Sequence, residues 1–484
     1  HHPMSASPVT APGVLTPKRP FGIRDKVGYM FGDFGNDFTF ILQAAFFMVF
    51  FTNVVGIDPA HVGTLLLVAR VCDGFTDVGM GVLVDRLPLK VPGTRFRRWI
   101  KYICVPVAVA SVLMYMSFVA DFGSYGLKVV WMCATYFLWG SVTYTAINIP
   151  YGSMSSVVSP DPDDRAELSV WRSTGATLAN IAIMTVLPLV VYKTNAEGQS
   201  VLDGPSMTMG AAVCSVLAVA CYLACYFLVE ERVDSTPAKG EQMGIGSMLA
   251  AVFSNRALLG LIAAALLLLV SMLFGNGMLS YLFLNYFGNG KIQSVASMAS
   301  LAPTLALVLV APWLSRRFGK AEVGIVAMSV GGVLMITAYV LKIESATTWI
   351  IFYAVAMFAM ACFNFLVWAF ITDVIDYQEV RTGERGDGTV YAVYSWSRKL
   401  GQALAGGLTG WALGWIGYDT AAATAGHAQS GSVVDGIYML SNLVPGIGYI
   451  LVALAILLLY PLKKKVVEAN NAVLAERRAA AKVA

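Results

Sequence analysis

The chain has 484 residues, of which 57% are hydrophobic and 13% are charged. Soluble proteins carry about 25% charged residues, so this composition excludes a soluble globular domain and predicts a polytopic membrane protein. The formal net charge is +4. Because no basic domain or RNA-binding motif accompanies that charge, we expect no nucleic-acid partner. The seven cysteines lie in apolar runs without metal-type spacing, so neither a disulfide framework nor a metal site is expected.

Residues 1–27 precede the first apolar run and are predicted to be a cytoplasmic segment. His1 and His2, followed by Pro3 and Met4, resemble the remnant of an expression tag. The segment has no apolar core of the kind found in a cleavable signal peptide, so we expect the first span to serve as its own signal.

Apolar segments recur along the chain at lengths that suit a bilayer. A hydrocarbon core about 30 Å thick requires about 20 residues of helix. We therefore predict an all-α membrane protein with twelve transmembrane helices. The predicted spans are 28–52, 60–85, 99–120, 127–157, 166–193, 206–230, 256–287, 292–315, 322–342, 346–376, 388–416 and 434–462.

Lysine and arginine are distributed unevenly between the predicted loops. If both termini are cytoplasmic, most basic residues fall on the cytoplasmic side, as the positive-inside rule requires. We therefore expect a multi-pass protein of the cell inner (plasma) membrane, inserted in the lipid bilayer with both termini in the cytoplasm. The outer loops then hold only Lys128, Lys193, Lys291 and Lys342.

A polar connection over residues 231–255 divides the spans into two groups of six. Basic turns that contain glycine, "DRLPLKVPGTRFRRW" and "SRRFGKAEVG", follow spans two and eight at equivalent places. Two such halves, related by an axis along the membrane normal, are the architecture of the major facilitator superfamily. The predicted domains are an N-terminal half at 28–230, the linker, a C-terminal half at 256–462 and a cytoplasmic tail at 463–484.

Span two contains three charges, Arg70, Asp73 and Asp77. Each charge near the centre of a membrane helix costs about 2.5 to 3.5 kcal/mol on insertion scales. The two acids are spaced i, i+4 and project from one face, with Arg70 one turn earlier. A structural ion pair explains Arg70 and one aspartate but not the second acid. Because two nearby carboxylates repel, one tends to keep its proton or share a cation, which predicts a proton or sodium site.

Polar residues in other spans predict a water-accessible cavity. Carboxylates and guanidinium groups bind vicinal hydroxyls, and aromatic rings cover the apolar face of a sugar, so the set resembles a sugar site. For each aromatic residue alone, lipid contact or core packing is the alternative. The residues are Asp33, Asn36 and Asp37 in span one, Tyr144, Asn148 and Tyr151 near Pro150 in span four, Arg172 in span five, and Tyr391, Tyr394, Ser395, Trp396, Arg398, Lys399 and Gln402 in span eleven.

From about residue 22 to 463 the chain resembles the glycoside–pentoside–hexuronide:cation symporter family. The resemblance is carried by "GDFGNDF", "GTLLLVARVCDGFTDVGMGVLVD", "GTRFRRW", "TYTAINIPYGS" and "DVIDYQEVRTGERGDGTVYAVYSWSRKLGQA". It implies that Asp37 contacts sugar hydroxyls, that Arg172 pairs with Asp37, and that Lys399 lies near both the sugar and the cation.

The expected roles form three groups. For substrate binding we expect Asp37, Arg172, Asn148, Tyr144, Tyr151, Lys399, Arg398, Ser395 and Trp396. For cation coupling we expect Asp73, Asp77 and Lys399. For gating we expect Asp33 and Arg70, together with Asp373, Asp376 and Tyr377, which match a motif of the family at the cytoplasmic end.

One position departs from the melibiose permease branch of the family, which has a third acid in span four where this chain has Asn148. The surrounding "NIPYGS" resembles the glucuronide and pentoside branch. With one fewer negative charge to bind a desolvated Na⁺, H⁺ is favoured as the coupling cation, and no cofactor is expected. Arg398 directly before Lys399 also resembles the glucuronide permease, which favours an anionic sugar, a uronide.

The sequence therefore predicts a monomeric secondary active symporter that takes up a glycoside, pentoside or hexuronide with a cation by alternating access. A Na⁺-coupled sugar symporter, a lipid or lysolipid carrier of the same fold, and a sensor without transport remain alternatives. An enzyme is not expected, because the chain has no HExxH motif, nucleophile elbow or P-loop.

Overall fold

The computed structural model describes residues 9–11, 14–15, 19–233, 250, 253–383 and 387–483. The predicted tag remnant and most of the predicted linker lie outside the described residues. The chain forms two compact units. The first unit comprises His1–Lys239, Asn289–Ser294 and Tyr418–Gln429, and the second unit comprises Gly240–Gly288, Val295–Gly417 and Ser430–Ala484.

Long helices form the first unit, and two of them pass into a wider π-helical turn. Two short antiparallel hairpins accompany the helices. In chain order the elements are β1 (Val9–Ala11), β2 (Val14–Leu15), α1 (Ile23–Val49), π1 (Phe50–Val55), α2 (Pro59–Arg86), α3 (Arg97–Met114), a 3₁₀ turn (Ser117–Asp121), α4 (Tyr125–Phe137), π2 (Leu138–Tyr144), α5 (Thr145–Val158), α6 (Pro162–Val191), β3 (Tyr192–Thr194), β4 (Ser200–Leu202) and α7 (Gly204–Leu228).

The remaining elements follow the linker. Helix α8 ends in π3, as α1 ends in π1, so predicted spans one and seven share this local feature. The elements are α8 (Arg256–Tyr281), π3 (Leu282–Tyr286), a 3₁₀ turn (Gly290–Ile292), α9 (Gln293–Leu301), a 3₁₀ turn (Ala302–Ala306), α10 (Leu307–Phe318), α11 (Lys320–Leu341), α12 (Ala346–Thr382), α13 (Asp387–Trp415), α14 (Thr420–Thr424), α15 (Gly431–Leu459) and α16 (Lys464–Val483).

Eight helices within the described residues are long and apolar enough to cross a membrane, and a pair bent by 49°, Gly290–Ala306 with Leu309–Phe318, gives a ninth candidate. Helix α2 has 28 residues, which at 1.5 Å per residue is also long enough to cross, although it carries the three charges. The count of twelve spans remains a prediction. The eight are Ile23–Val55, Arg97–Asp121, Asp163–Val191, Gly204–Leu228, Arg256–Tyr286, Lys320–Leu341, Ala346–Val367 and Gly431–Leu459.

Local sequence signals account for where several helices begin. Asp58 precedes Pro59, and its Oδ1 accepts a hydrogen bond from the backbone N–H of Ala60 at 3.0 Å. The same arrangement starts α6, where Asp161 precedes a proline and caps the N–H of Asp163 at 3.0 Å. An aspartate cap followed by proline suits the first turn of a helix, because the cap satisfies an N–H that has no partner within the helix and proline lacks one.

The first unit includes two segments, residues 289–294 and 418–429, that lie within the predicted C-terminal half. The predicted domain limits stay a prediction. Both segments contact the hairpin β3–β4. The N–H of Gly290 donates to Ser200 Oγ at 2.8 Å, and Asn195 Nδ2 donates to the carbonyl of Gly426 at 2.9 Å. The Tyr418 hydroxyl also donates to Asn53 Oδ1 at 2.7 Å.

Candidate substrate and cation site

A chain of hydrogen bonds joins three helices of the first unit. The ring of Tyr222 on α7 packs directly on Gly35, where a Cβ atom would come within 2.7 Å of it. This close approach lets the Tyr222 hydroxyl reach Asn36 Oδ1 at 2.5 Å. Asn36 Nδ2 in turn donates to Asn148 Oδ1 on α5 at 3.2 Å. The glycine of "GDFGNDF" therefore serves to place two amide side chains.

Asp33 and Asp37 lie one turn apart on α1, near Arg172 of α6. Arg172 Nε lies 3.5 Å from Asp33 Oδ1, and Asp37 is close enough to interact electrostatically with both residues. The Oδ2 atoms of Asp33 and Asp37 are buried and have no hydrogen-bond partner among the described residues. A buried acceptor without a partner costs about 1–3 kcal/mol, so these oxygens are well suited to accept hydroxyl groups of a ligand.

The ion-pair contact corrects one expectation. The resemblance implied that Arg172 pairs with Asp37, whereas the structure pairs it with Asp33. The guanidinium also lies over the ring of Tyr151, with 5.1 Å between Arg172 Cζ and the ring centroid. Asp33, which was expected to act in gating, is thus part of the cluster predicted to bind substrate.

Tyr151 is itself fully buried. Its hydroxyl donates to the Tyr29 carbonyl at 2.5 Å, and the two rings stack with centroids 4.6 Å apart. The polar group of Tyr151 is therefore engaged with the backbone of α1, and its ring supports Arg172. We expect Tyr151 to influence substrate binding through that support.

The charges of α2 form a second cluster with α1. Arg70 Nη1 lies 3.6 Å from Asp73 Oδ2, and Arg70 Nη2 donates to Gln43 Oε1 at 3.2 Å. The guanidinium also lies over the ring of Phe40, with 5.3 Å between Cζ and the ring centroid. Arg70 is thus fixed from three directions, and Asp73 has a charged partner.

Each acid of α2 also meets a hydroxyl group from the segment π2–α5. Ser141 Oγ donates to Asp73 Oδ1 at 2.6 Å, and Thr145 Oγ1 donates to Asp77 Oδ1 at 3.0 Å. Our interpretation of the sequence missed both hydroxyls. The available signal was their spacing, since Ser141 and Thr145 are four residues apart, as are Asp73 and Asp77.

Tyr144 is close to residues of both clusters. Its ring stacks on Phe40 at 5.7 Å and tilts against Trp139 at 5.0 Å. It is close enough to interact electrostatically with Asp37 and Arg172 on one side and with Arg70 on the other. The predicted substrate cluster and the predicted cation cluster are therefore neighbours within the first unit.

The candidates of predicted span eleven lie on α13 in the second unit. Arg398 Nη1 donates to the Tyr394 hydroxyl at 3.3 Å. Ser395 and Trp396 are exposed, and Lys399 is half-buried. Their convergence with the clusters on α1, α2 and α6 stays a prediction.

The residues predicted to form an inner gate lie at the C-terminal end of α12. Lys320 Nζ pairs with Asp373 Oδ2 at 3.2 Å and joins the start of α11 to α12. The Tyr377 hydroxyl accepts a hydrogen bond from Arg381 Nη1 at 3.2 Å. Asp376 is half-buried between these two positions. The cluster contains an ion pair between helices, which a gate requires, and its role in gating stays a prediction.

Comparison with known proteins identifies relatives over nearly the whole chain. A glucuronide carrier protein homolog of Escherichia coli (strain K12) is 29% identical over 93% of this chain and 95% of its own length. An isoprimeverose transporter of Lactiplantibacillus pentosus is 30% identical over 94% and 92%. A putative sulfoquinovose importer of Escherichia coli (strain K12) is 30% identical over 92% and 91%.

Solved structures with the same fold are more distant in sequence. A nucleoside transporter matches with a TM-score of 0.58 at 13% identity, over 92% of this chain and all of that chain. A bacterial homolog of the human lysosomal transporter Spinster matches with a TM-score of 0.61 at 11% identity, over 90% and 95%. These likenesses show that the chain shares the fold of these two transporters.

A family model described as MFS/sugar transport protein matches residues 28–464. The match and the relatives bear out the fold and the family that the motifs of α1, α2 and α5 indicated. The chain is a multi-pass membrane transporter and not an enzyme, and it belongs to the MFS/sugar transport protein family as a member of the glycoside–pentoside–hexuronide symporters.

Proposed function

We propose that the protein takes up a glycoside, pentoside or hexuronide together with a cation, H⁺ in preference to Na⁺, by alternating access. The observation that carries the proposal is the meeting of two charged clusters at Tyr144. Binding of a sugar at one cluster and of a cation at the other then alters the same aromatic contacts. For a neutral sugar, one co-transported charge across 100 mV contributes about 2.3 kcal/mol, which supports a sugar gradient of roughly forty-fold. For a monoanionic uronide the co-transported pair is electroneutral, so the H⁺ concentration gradient alone drives accumulation.

The substrate cluster has the chemistry that a sugar needs. The buried Oδ2 atoms of Asp33 and Asp37 can accept hydrogen bonds from hydroxyl groups, and Arg172 can donate to a ring or hydroxyl oxygen. The relatives are named for a glucuronide, isoprimeverose and sulfoquinovose, all of which carry neighbouring hydroxyls. These names support a saccharide substrate.

An anionic sugar is the narrower proposal. Glucuronides carry a carboxylate and sulfoquinovose a sulfonate, so two of the three named substrates are anions. Arg398 and Lys399 are adjacent cations on α13, and a guanidinium or ammonium group is the natural partner of such an anion. A neutral glycoside is the alternative, in agreement with the name of the isoprimeverose transporter.

The residues of the cation cluster support coupling to a cation but are compatible with either H⁺ or Na⁺. Asp73 and Asp77 with the hydroxyls of Ser141 and Thr145 provide only oxygen atoms, which would suit Na⁺ as well as H⁺. We favour H⁺ because Asn148 contributes no negative charge where the melibiose branch has an acid. The Na⁺-coupled symporter is therefore the second candidate.

Uptake into proteoliposomes tests the proposal. The purified protein should accumulate a labelled glucuronide or a neutral glycoside transiently above equilibrium when the outside is made acidic, and a protonophore should abolish this overshoot. An overshoot that appears only with an inward Na⁺ gradient would show that the coupling cation is Na⁺ and not H⁺. Failure of every sugar to enter, with transfer of a labelled lysolipid in the same vesicles, would contradict the proposal and favour the lipid carrier.

We also propose that the protein lies in the cell inner membrane with both termini in the cytoplasm. The uneven distribution of lysine and arginine supports this orientation. Cysteine introduced at His427 in intact cells should react with an impermeant thiol reagent, and cysteine introduced at Ala480 should not. Both side chains are exposed, so labelling at Ala480 from outside would contradict the orientation.

A further inference from the structure

Two pairs of residues face each other across α2 and the segment π2–α5. Asp73 and Asp77 form one i, i+4 pair, and Ser141 and Thr145 form the other. Each acid accepts one hydroxyl, at 2.6 Å from Ser141 and 3.0 Å from Thr145. The two hydroxyls differ in the number of acceptors within hydrogen-bond distance.

The Thr145 hydroxyl lies within hydrogen-bond distance of two acceptors, whereas the Ser141 hydroxyl has one acceptor among the described residues. Thr145 Oγ1 lies within hydrogen-bond distance of the Gly140 carbonyl at 3.1 Å as well as of Asp77, and it has a single hydrogen to donate. Ser141 Oγ has Asp73 as its one hydrogen-bond partner among the described residues. Ser141 is also more than nine-tenths buried, so water does not readily compete for that hydrogen.

The wider turn of π2 is what presents Ser141 to α2. Residues Leu138–Tyr144 form a π-helix between two α-helices, and such insertions are frequent at functional sites because they rotate one face of a helix relative to the next. Thr143, in the same π-helical turn, bonds instead to the backbone of its own helix, as threonine side chains in helices often do. Its hydroxyl donates to the backbone carbonyls of Leu138 and Trp139, at 3.0 and 2.9 Å.

Asp73 is consequently held at both oxygens. Ser141 contacts Oδ1, and Arg70 lies 3.6 Å from Oδ2. The other titratable groups around it include Asp77 on α2 and Tyr136 on α4. A carboxylate fixed from two sides is held in one orientation, which lowers the cost of organising it around a cation.

We propose that Ser141 is a positioning residue for cation coupling, which acts by orienting Asp73 and not by contacting the sugar. This inference rests on the proposed symport function. In this proposal, the geometry of π2 sets the cation concentration at which sugar uptake is half-maximal. Loss of the hydroxyl should change the cation dependence of uptake and leave sugar exchange intact.

The test compares Ser141→Ala, Ser141→Thr and Thr143→Val with the wild-type protein in proteoliposomes. For Ser141→Ala we expect the cation concentration at half-maximal uptake to rise about tenfold or more, as for a lost hydrogen bond to a charged group. Sugar exchange at equal pH on both sides should change less than about twofold. Ser141→Thr should restore the cation dependence because it keeps the hydroxyl, and Thr143→Val should resemble the wild type.

The outcomes separate the two proposals. If neither an H⁺ nor a Na⁺ gradient drives uptake by the wild-type protein, the symport function itself is wrong. If the wild type is driven but Ser141→Ala keeps the same half-maximal cation concentration, the role of Ser141 is wrong while symport stands. The same conclusion follows if Thr143→Val shifts the cation dependence as much as Ser141→Ala, since general disturbance of π2 would then explain both. Sugar exchange by each variant shows that it is folded.

Discussion

Arg172 Nε lies 3.5 Å from Asp33 Oδ1, whereas Asp37, one turn further along α1, makes no such ion pair among the described residues. The Oδ2 atoms of both acids are buried and have no hydrogen-bond partner in that part of the chain. The two acids of "GDFGNDF" therefore differ in their surroundings. Asp33 holds the guanidinium in place, and Asp37 is better placed to accept hydrogen bonds from a substrate. The difference gives separate expectations for the two positions.

Replacement of Asp37 by asparagine should weaken sugar binding by roughly 10- to 150-fold, because the change removes a charged hydrogen-bond acceptor. Asp33→Asn should weaken binding less, since it acts through Arg172. Isothermal titration of the purified variants with the sugar that the wild-type protein transports would measure both. Wild-type affinity in Asp37→Asn would contradict the assignment, and an unchanged melting temperature would show that the fold is intact.

Replacement of Gly35 by alanine should destabilise the first unit by about 1–3 kcal/mol, since the new Cβ would come within 2.7 Å of the Tyr222 ring. The same change should break the hydrogen bond from Tyr222 to Asn36. Gly81→Ala on α2 is the matched control, because a Cβ there would meet no atom within 4 Å. Thermal unfolding in one detergent compares the two, and equal melting temperatures would show that α1 and α7 are not packed this closely.

Replacement of Asn148 by aspartate should make uptake respond to Na⁺. The new acid would add a negative charge one turn along α5 from Thr145, whose hydroxyl contacts Asp77. Its oxygen could still accept the hydrogen bond from Asn36, which is 3.2 Å long. Sugar uptake should be measured with and without an inward Na⁺ gradient at fixed pH, with Asn148→Ala as the control for loss of the amide. An Asn148→Asp variant driven by H⁺ alone would refute the link between this position and the choice of ion.

Replacement of Lys399 by glutamine should penalise a uronide far more than its neutral analogue. A hydrogen bond to a charged group contributes about 1.5 to 3 kcal/mol, so affinity for the anion should fall roughly 10- to 150-fold while that for the neutral sugar stays nearly constant. Competition of both sugars against one labelled substrate gives the two affinities. Equal losses would argue for a neutral glycoside as the natural substrate.

The sequence was sufficient to find the charged residues of the candidate site. Arg70, Asp73 and Asp77 stand out because charges are costly in an apolar span, and Asp33, Asp37 and Arg172 stand out for the same reason. Their partners were harder to predict. Serine and threonine are common in membrane helices and carry no such cost, so their residue type gave no signal, and only the four-residue spacing of Ser141 and Thr145 matched that of the two acids.

Geometry that depends on packing could also not be predicted from the sequence. An i, i+4 pattern assumes a regular α-helix, and π2 departs from it within the span that carries Tyr144. Arg172 pairs with Asp33 and lies over the Tyr151 ring, and no spacing in the sequence reveals either contact. The docking of residues 289–294 and 418–429 on the hairpin β3–β4 likewise comes from contacts between segments distant in the chain.

The central claim is that Asp73 and Asp77 bind and release the coupling cation, and accumulation of sugar by Asp73→Asn and Asp77→Asn tests it most directly. In proteoliposomes with an imposed pH gradient, both variants should exchange labelled sugar across the membrane, although with weakened binding. Neither should concentrate sugar above equilibrium, because an amide cannot take up and release the proton. If either variant still concentrates sugar in response to the gradient, that residue is not part of the coupling site, and a structural ion pair with Arg70 would be the remaining explanation for Asp73.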